Sequence, residues 1–146
     1  MNLPKYQLKS NEKLTSFEFI SVGKKGNISK IIQFSATNYH DVYNLSFGDK
    51  DDSTGGLNDK SISGNGDSEI VLATVISAVF AFIAKNPEAW VYATGSSNAR
   101  TRLYRMGITK HLKFIKSEYV IYGQTNDSWE VFKINKEYEA FLLRKK

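Results

Sequence analysis

Three arginines, Arg100, Arg102 and Arg105, follow a Thr94-Gly95-Ser96-Ser97 turn in the stretch ATGSSNARTRLYRMGI, residues 93–108. Guanidinium groups are planar forks of donors that suit phosphates and carboxylates. A serine heading a helix is a cap, and the free N–H groups and dipole behind it favour an anion. Ser96, Ser97, Asn98, Arg100, Arg102 and Arg105 are therefore the candidate residues for binding an anionic partner, either a nucleic acid or an acidic protein. No acid lies between Val91 and Thr109 to repel a phosphate. The plain alternative is a solvated helix face, because clustered surface charges often do nothing more.

At 100° per residue the arginines divide. With Ala99 at the centre of the buried side, Arg102 and Arg105 share one flank near Thr109. Arg100 and Tyr104 take the other, so the three cannot close on one small ligand. Gly95 permits close backbone approach. A second glycine turn, SGNGDSE (63–69), also leads into an expected helix. It puts Asp67 and Glu69 where a phosphate would sit, and like charges repel. It reads as loop and cap.

Other chemistry is thin. There is no cysteine, which excludes disulfides and thiolate metal sites. Two histidines, His40 and His111, are too few and too far apart for most zinc sites, and both read as surface residues. Residues 48–67 are acidic and hold five glycines but lack the spacing of a calcium loop. No zinc-protease, nucleophile-elbow or phosphate-loop motif is present. No metal and no cofactor are expected, and the residues favour binding over catalysis.

Charge is uneven. The formal net charge is +5. Residues 48–69 carry two lysines against six acids, and residues 98–122 carry six Lys/Arg against Glu118 alone. That field favours anionic partners without selecting among them. The N-terminus shows no apolar signal region. The apolar run at 70–84 is shorter than the ~20 residues that cross a bilayer. The Arg144-Lys145-Lys146 cluster is short for a lipid-binding one. A cytoplasmic location without a membrane partner is the expectation.

The elements that must hold these residues follow from pattern. SFEFISVG (16–23) and SKIIQFSAT (29–37) alternate as strands around a KKGN turn, and DVYNLSFGD (41–49) makes a third, with Tyr43, Leu45 and Phe47 inward. Residues 48–67 form a long polar loop with a short strand at Lys60–Ser63. Asp67 caps an apolar helix that Asn86-Pro87 ends. AWVYATG (89–95) is a buried strand. In the arginine helix Ala99, Leu103 and Met106 form the buried stripe. Gly107 closes it after about two turns, with Ile108 folded back onto Leu103. EYVIYGQ (118–124) and WEVF (129–132) make a hairpin, and NKEYEAFLLRK (135–145) reads as a last helix. Tyr92, Tyr119, Tyr122 and Trp129 are core or sheet-face packing, or rings on which bases stack. The order is β-β-β-α-β-α-β-β-α. This implies one α+β domain, residues 1–146, with a mixed, mostly antiparallel sheet around one central buried helix.

The stretch NGDSEIVLATVISAV…WVYATGSSNARTRLYRMGI, together with FEFISVGKKGNISK…VYNLSFGD and YEAFLLRKK, resembles an uncharacterised family of small bacterial proteins, a domain of unknown function, over nearly the whole chain. That resemblance implies a free-standing bacterial cytoplasmic domain and transfers no functional residue. A second resemblance is to the GNAT acyltransferases. Three strands, a glycine turn, a long helix, a strand and a helix stand in that order, with Asn98, Leu103-Tyr104 and Gly107 in sequence. It implies an acyl-CoA-dependent transferase in which Tyr104 takes the general-acid position. The basic turn that holds the cofactor pyrophosphate in that family is absent, and acids occupy its place. The readings are thus a non-catalytic module for an anionic partner, a divergent GNAT-like transferase, or a structural or protein-interaction domain.

Overall fold

The computed structural model describes residues 4–51, 53–58 and 64–146. Its strands are β1 (Lys9–Ser10), β2 (Ser16–Gly23), β3 (Gly26–Ala36), β4 (Val42–Lys50), β5 (Leu57–Asn58), β6 (Trp90–Ala93), β7 (Tyr119–Thr125), β8 (Ser128–Val131) and β9 (Ala140–Lys145). The helices are α1 (Ser68–Lys85), α2 (Asn98–Lys110) and α3 (Leu112–Glu118). All strands join one sheet in the order β1-β2-β3-β4-β6-β9-β7-β8, with β5 on β4. Every pairing is antiparallel except β4 with β6. The molecule is α+β, as its pattern implies.

Two expectations about the elements are corrected. Residues 140–145 are not helical: they form β9, wedged between β6 and β7. The helix formers Glu, Ala, Leu and Lys are overridden by two flanking strands with open edges, since propensity is a weak prior against tertiary pairing. The polar loop starts later than expected, because β4 runs through Lys50 and pairs with β5. The strand expected at Lys60–Ser63 lies outside the described residues.

The hairpins follow local chemistry. β7 and β8 join through Asn126 and Asp127, with φ of 45° and 56°. Two successive positive φ values match the twist of the flanking strands.

The direction of the crossovers decides which face of the sheet is covered. β4, α1 and β6 form a parallel crossover. β6 and β7 are both antiparallel to β9 and hence parallel to each other, so β6, α2–α3 and β7 form a second one. Parallel crossovers are right-handed. Both step the same way along the sheet, so both put their helices on the same face. That face holds the core. Phe34 stacks on Phe82 of α1 with centroids 4.3 Å apart, and Tyr119 stacks on Phe80 at 4.5 Å. Ile32, Ala78, Phe82 and Ile83 are almost completely buried. α1 is long and apolar enough to span a membrane by length and composition. Here one side of it lies on the sheet, while Leu72 on another meets Gly107 of α2. The opposite face of the sheet carries no helix among the described residues.

Candidate functional site

The turn before α2 is built around Gly95. A Cβ there would lie 2.4 Å from the Thr101 amide and 2.7 Å from the Arg100 carbonyl carbon. The close approach that glycine allows is thus made by the first turn of α2. The Gly95 amide donates to Thr101 Oγ1 at 2.9 Å, and that hydroxyl donates to the Ser97 carbonyl. Ser97 is the N-cap, its Oγ accepting from the Arg100 amide at 3.2 Å. The amides of Asn98 and Ala99 find no acceptor among the described residues, as expected for a first turn facing solvent.

α2 does not end at Gly107 after two turns. It runs to Lys110, and α3 follows from Leu112. Gly107 is buried mid-helix because a Cβ would crowd Leu72 at 3.3 Å. The buried face is likewise corrected. Tyr104 and Gly107 point inward, whereas Ala99, Leu103 and Met106 are exposed, Met106 at 54 %. Ile108 accordingly continues the helix rather than folding back on Leu103. His111 is buried between α2 and α3, not on the surface. Burial, with Lys110 beside it, holds its imidazole below the ordinary value, and Glu69 opposes this. His40 is exposed, as expected.

This rotation sorts the candidate arginines. Arg100 turns inward: one guanidinium nitrogen donates to the Phe47 carbonyl at 2.7 Å, and the group lies 5.2 Å over the Phe47 ring. Arg102 and Arg105 face outward and form no ion pair among the described residues. With Ser96, Ser97 and Asn98 they line a groove of about 1110 Å³. Its far wall is the β7–β8 turn (Thr125, Asn126) and the segment Glu137 to Glu139. The groove gathers five of the six candidates, and Arg100 stays outside it.

The far wall is fixed in place. Tyr138 is buried, accepts from the Lys133 amide at 3.0 Å and donates to Glu130 at 2.8 Å. Lys136 donates to the same carboxylate at 2.7 Å. Bonds from Lys136 and Tyr138 hold the Glu130 carboxyl below its usual range. Glu137 and Glu139, both exposed, put negative charge on the wall opposite the arginines. No acid precedes Thr109 within α2, but the fold supplies two from far along the chain.

The junction into α1 works differently. Asp67 occupies the cap position without capping. Its carboxylate accepts from Tyr6 at 2.6 Å and from the buried Ser21 hydroxyl. Asn65, also buried, donates to Ser21 and to the Gly26 carbonyl. Glu69 takes an ion pair from Lys110 at 2.8 Å. The acids are engaged within the protein.

Tyr104 lines a small apolar cavity of about 70 Å³ between the helices and the sheet, with Leu45, Val91 and Phe141 among its walls. Beyond the groove, the helix-free sheet face brings together residues that the sequence left scattered. Trp90 and Tyr122 stack at 6.1 Å, Tyr92 and Trp129 meet edge to face at 6.1 Å, and Arg144 lies 5.1 Å over Trp90. Trp90 and Arg144 are not among the residues expected to act. The signal for Arg144 was the two-residue alternation of AFLLRK, legible only once that segment is read as a strand beside Trp90. Tyr119 is separated from this group and buried on the helix side.

The fold and groove define a one-faced α+β scaffold with a mixed-charge cleft at the end of its sheet. The chain belongs to the Family of unknown function (DUF6934), whose model matches residues 2–146. No curated protein matches the chain, and no solved structure does.

Proposed function

We propose that the protein is a non-catalytic binding module for an anionic partner, held in the groove at the start of α2. One observation carries the reading: Arg102 and Arg105 face a large groove without an ion pair among the described residues, although Glu137 and Glu139 line the same space. Uncompensated guanidinium forks beside the amides of Asn98 and Ala99 give an anion several donors at once. The two glutamates set the limit. They favour a ligand whose negative charge lies on the α2 side and whose neutral part lies against Tyr138.

Inorganic polyphosphate titrated by calorimetry tests this directly. The Arg102→Ala/Arg105→Ala double variant should lose at least about tenfold in affinity and show a shallower salt dependence. Glu137→Gln should bind more tightly. Equal affinities across all three proteins would overturn the proposal.

A divergent acyl-CoA-dependent transferase is a second reading, supported by the element order. Three antiparallel strands, a glycine turn, a long helix, a strand parallel to β4 and the Tyr104 helix stand in the sequence of that family. β4 and β6 pair only from Val42 to Leu45, after which β4 leaves β6, keeps β3 and takes β5 at Asp49 and Lys50. Against this stand the Arg100 side chain on the Phe47 carbonyl and the engaged Asp67 and Glu69. Acetyl-CoA at about 100 times its dissociation constant would stabilise the fold by ~2.7 kcal/mol. No thermal shift at millimolar concentration removes this reading.

A further inference from the structure

The helix-free face follows from topology, so its composition is informative. An open sheet face in contact with water is ordinarily polar. Here the strands β6, β9, β7 and β8 carry Trp90, Tyr92, Tyr122 and Trp129 on that face. The register places Trp90 opposite Arg144, and Tyr92 and Tyr122 on either side of Leu142.

Two of the rings reach toward each other across the sheet. Tyr92 and Trp129 stand on strands three steps apart, about 14 Å at the usual strand spacing. Their centroids are nevertheless 6.1 Å apart. Side chains standing upright on the sheet could not meet over that distance. Both therefore lean inward over β9 and β7, and their planes, 72° apart, meet edge to face, so one ring lies along the sheet with a π-face toward solvent while the other abuts it on edge. Trp129 is 39 % exposed, and the other three are half-buried. Arg144 completes the set. It lies over Trp90, one guanidinium nitrogen donates to the Lys145 carbonyl at 3.2 Å, and it makes no ion pair among the described residues, where its buried Nε also has no hydrogen-bond partner.

We propose that this face is a stacking platform for single-stranded nucleic acid, with the aromatic cluster, Trp129 foremost as its exposed ring, taking bases and Arg144 a phosphate. This rests on the anionic-partner reading above and names the partner. Base–aromatic stacking tolerates any sequence, and an adjacent guanidinium supplies the charge that a strand needs. The strand's path is continuous with the groove. Trp129 pairs with Gln124, and the next residues, Thr125 and Asn126, form the groove wall facing Arg102 and Arg105. A second copy of the chain fits the face less well, because face-to-face packing would bring Arg144 charges, which have no carboxylate partner among the described residues, into a dry interface.

The test uses a built-in reporter. The sequence has two tryptophans, Trp90 and Trp129, and both lie on this face. Oligothymidylate added to the intact protein at low salt should quench tryptophan emission, and the matching duplex should quench it less. Affinity should fall about tenfold or more in Trp129→Leu and in Arg144→Gln, with melting temperatures near wild type. Quenching that survives in both variants would overturn the platform. Should a variant fail to fold, the wild-type comparison of strand with duplex still decides. Polyphosphate binding without oligonucleotide quenching overturns the platform and leaves the groove standing. Binding of neither overturns both. Emission that changes with protein concentration alone, together with dimers in ultracentrifugation, assigns the face to a second copy and overturns the proposal.

Discussion

The chain contains two glycine turns that lead into helices, and they have opposite fates. Before α1, the acids are consumed internally: Asp67 holds Tyr6 and Ser21, and Glu69 holds Lys110. Before α2, a serine caps the helix and Arg102 and Arg105 are left facing a groove. The difference lies in where each junction sits. At the α1 junction Asp67 lies against β2 and the N-terminal segment, beside buried Ser21, where a polar group must be bonded, while exposed Glu69 pairs with Lys110 at the surface. The α2 junction projects beyond the end of β6, where water satisfies what the protein does not. A glycine turn leading into a helix is therefore no sign of a site until its polar side chains have been traced to their partners.

The two glycines offer the strongest way to break this comparison. Gly95→Ala sets a Cβ against backbone atoms of α2 and should cost about 3 kcal/mol in urea unfolding. Gly66→Ala meets only the Lys24 side chain, at 3.6 Å, and carries the penalty of φ 79° alone, about 1–2 kcal/mol. Equal costs would mean that the α2 junction yields as readily as the other.

The caps give the next largest effect. Asp67→Ala leaves the completely buried Ser21 without its carboxylate partner and should cost about 2 kcal/mol. Ser97→Ala removes one exposed cap and should cost about 1 kcal/mol. The reverse order would show that α2 is anchored through its cap and α1 is not.

The smallest effect sharpens the link between the junctions. Glu69 of α1 meets Lys110 at the end of α2, next to His111. The folded state holds His111 below its ordinary value, so the unfolded chain takes up the proton first as pH falls. Stability is therefore full above about pH 6.5 and declines as pH drops through the folded value. Thermal melts of wild type and His111→Gln should converge in their pH dependence at neutral pH and diverge in mild acid. Parallel curves would place His111 in water.

Much of the fold was legible in local pattern, because hairpins and an apolar helix are written in neighbouring residues. β2, β3, β4, α1 and the β7–β8 hairpin all follow from alternation and turn chemistry. β9 was not legible, since Ala140–Lys145 is a strand only by virtue of the partners on either side. The rotation of α2 failed for a related reason. Ala99 and Met106 are apolar but exposed, while the buried positions are a tyrosine and a glycine fitted to Leu72. Hydrophobic type points inward on average, and contact geometry decides at each position. The five candidates that line the groove, Ser96, Ser97, Asn98, Arg102 and Arg105, could be named from one short stretch. The opposite wall, Glu137 to Glu139, could not, because nothing local ties those residues to α2.

The placement of β9 also bears on how the chain is made. It follows every other described element in sequence yet lies inside the sheet, between β6 and β7. Until Ala140–Lys145 has been synthesised, β6 and β7 each present an open edge, and the sheet exists as two separate halves. Such edges invite pairing with other chains, and the closing contacts are long-range and slow to form. During biosynthesis the nascent protein therefore depends on β9 for solubility, and a stop codon placed before Ala140 should send it to aggregates or to chaperones.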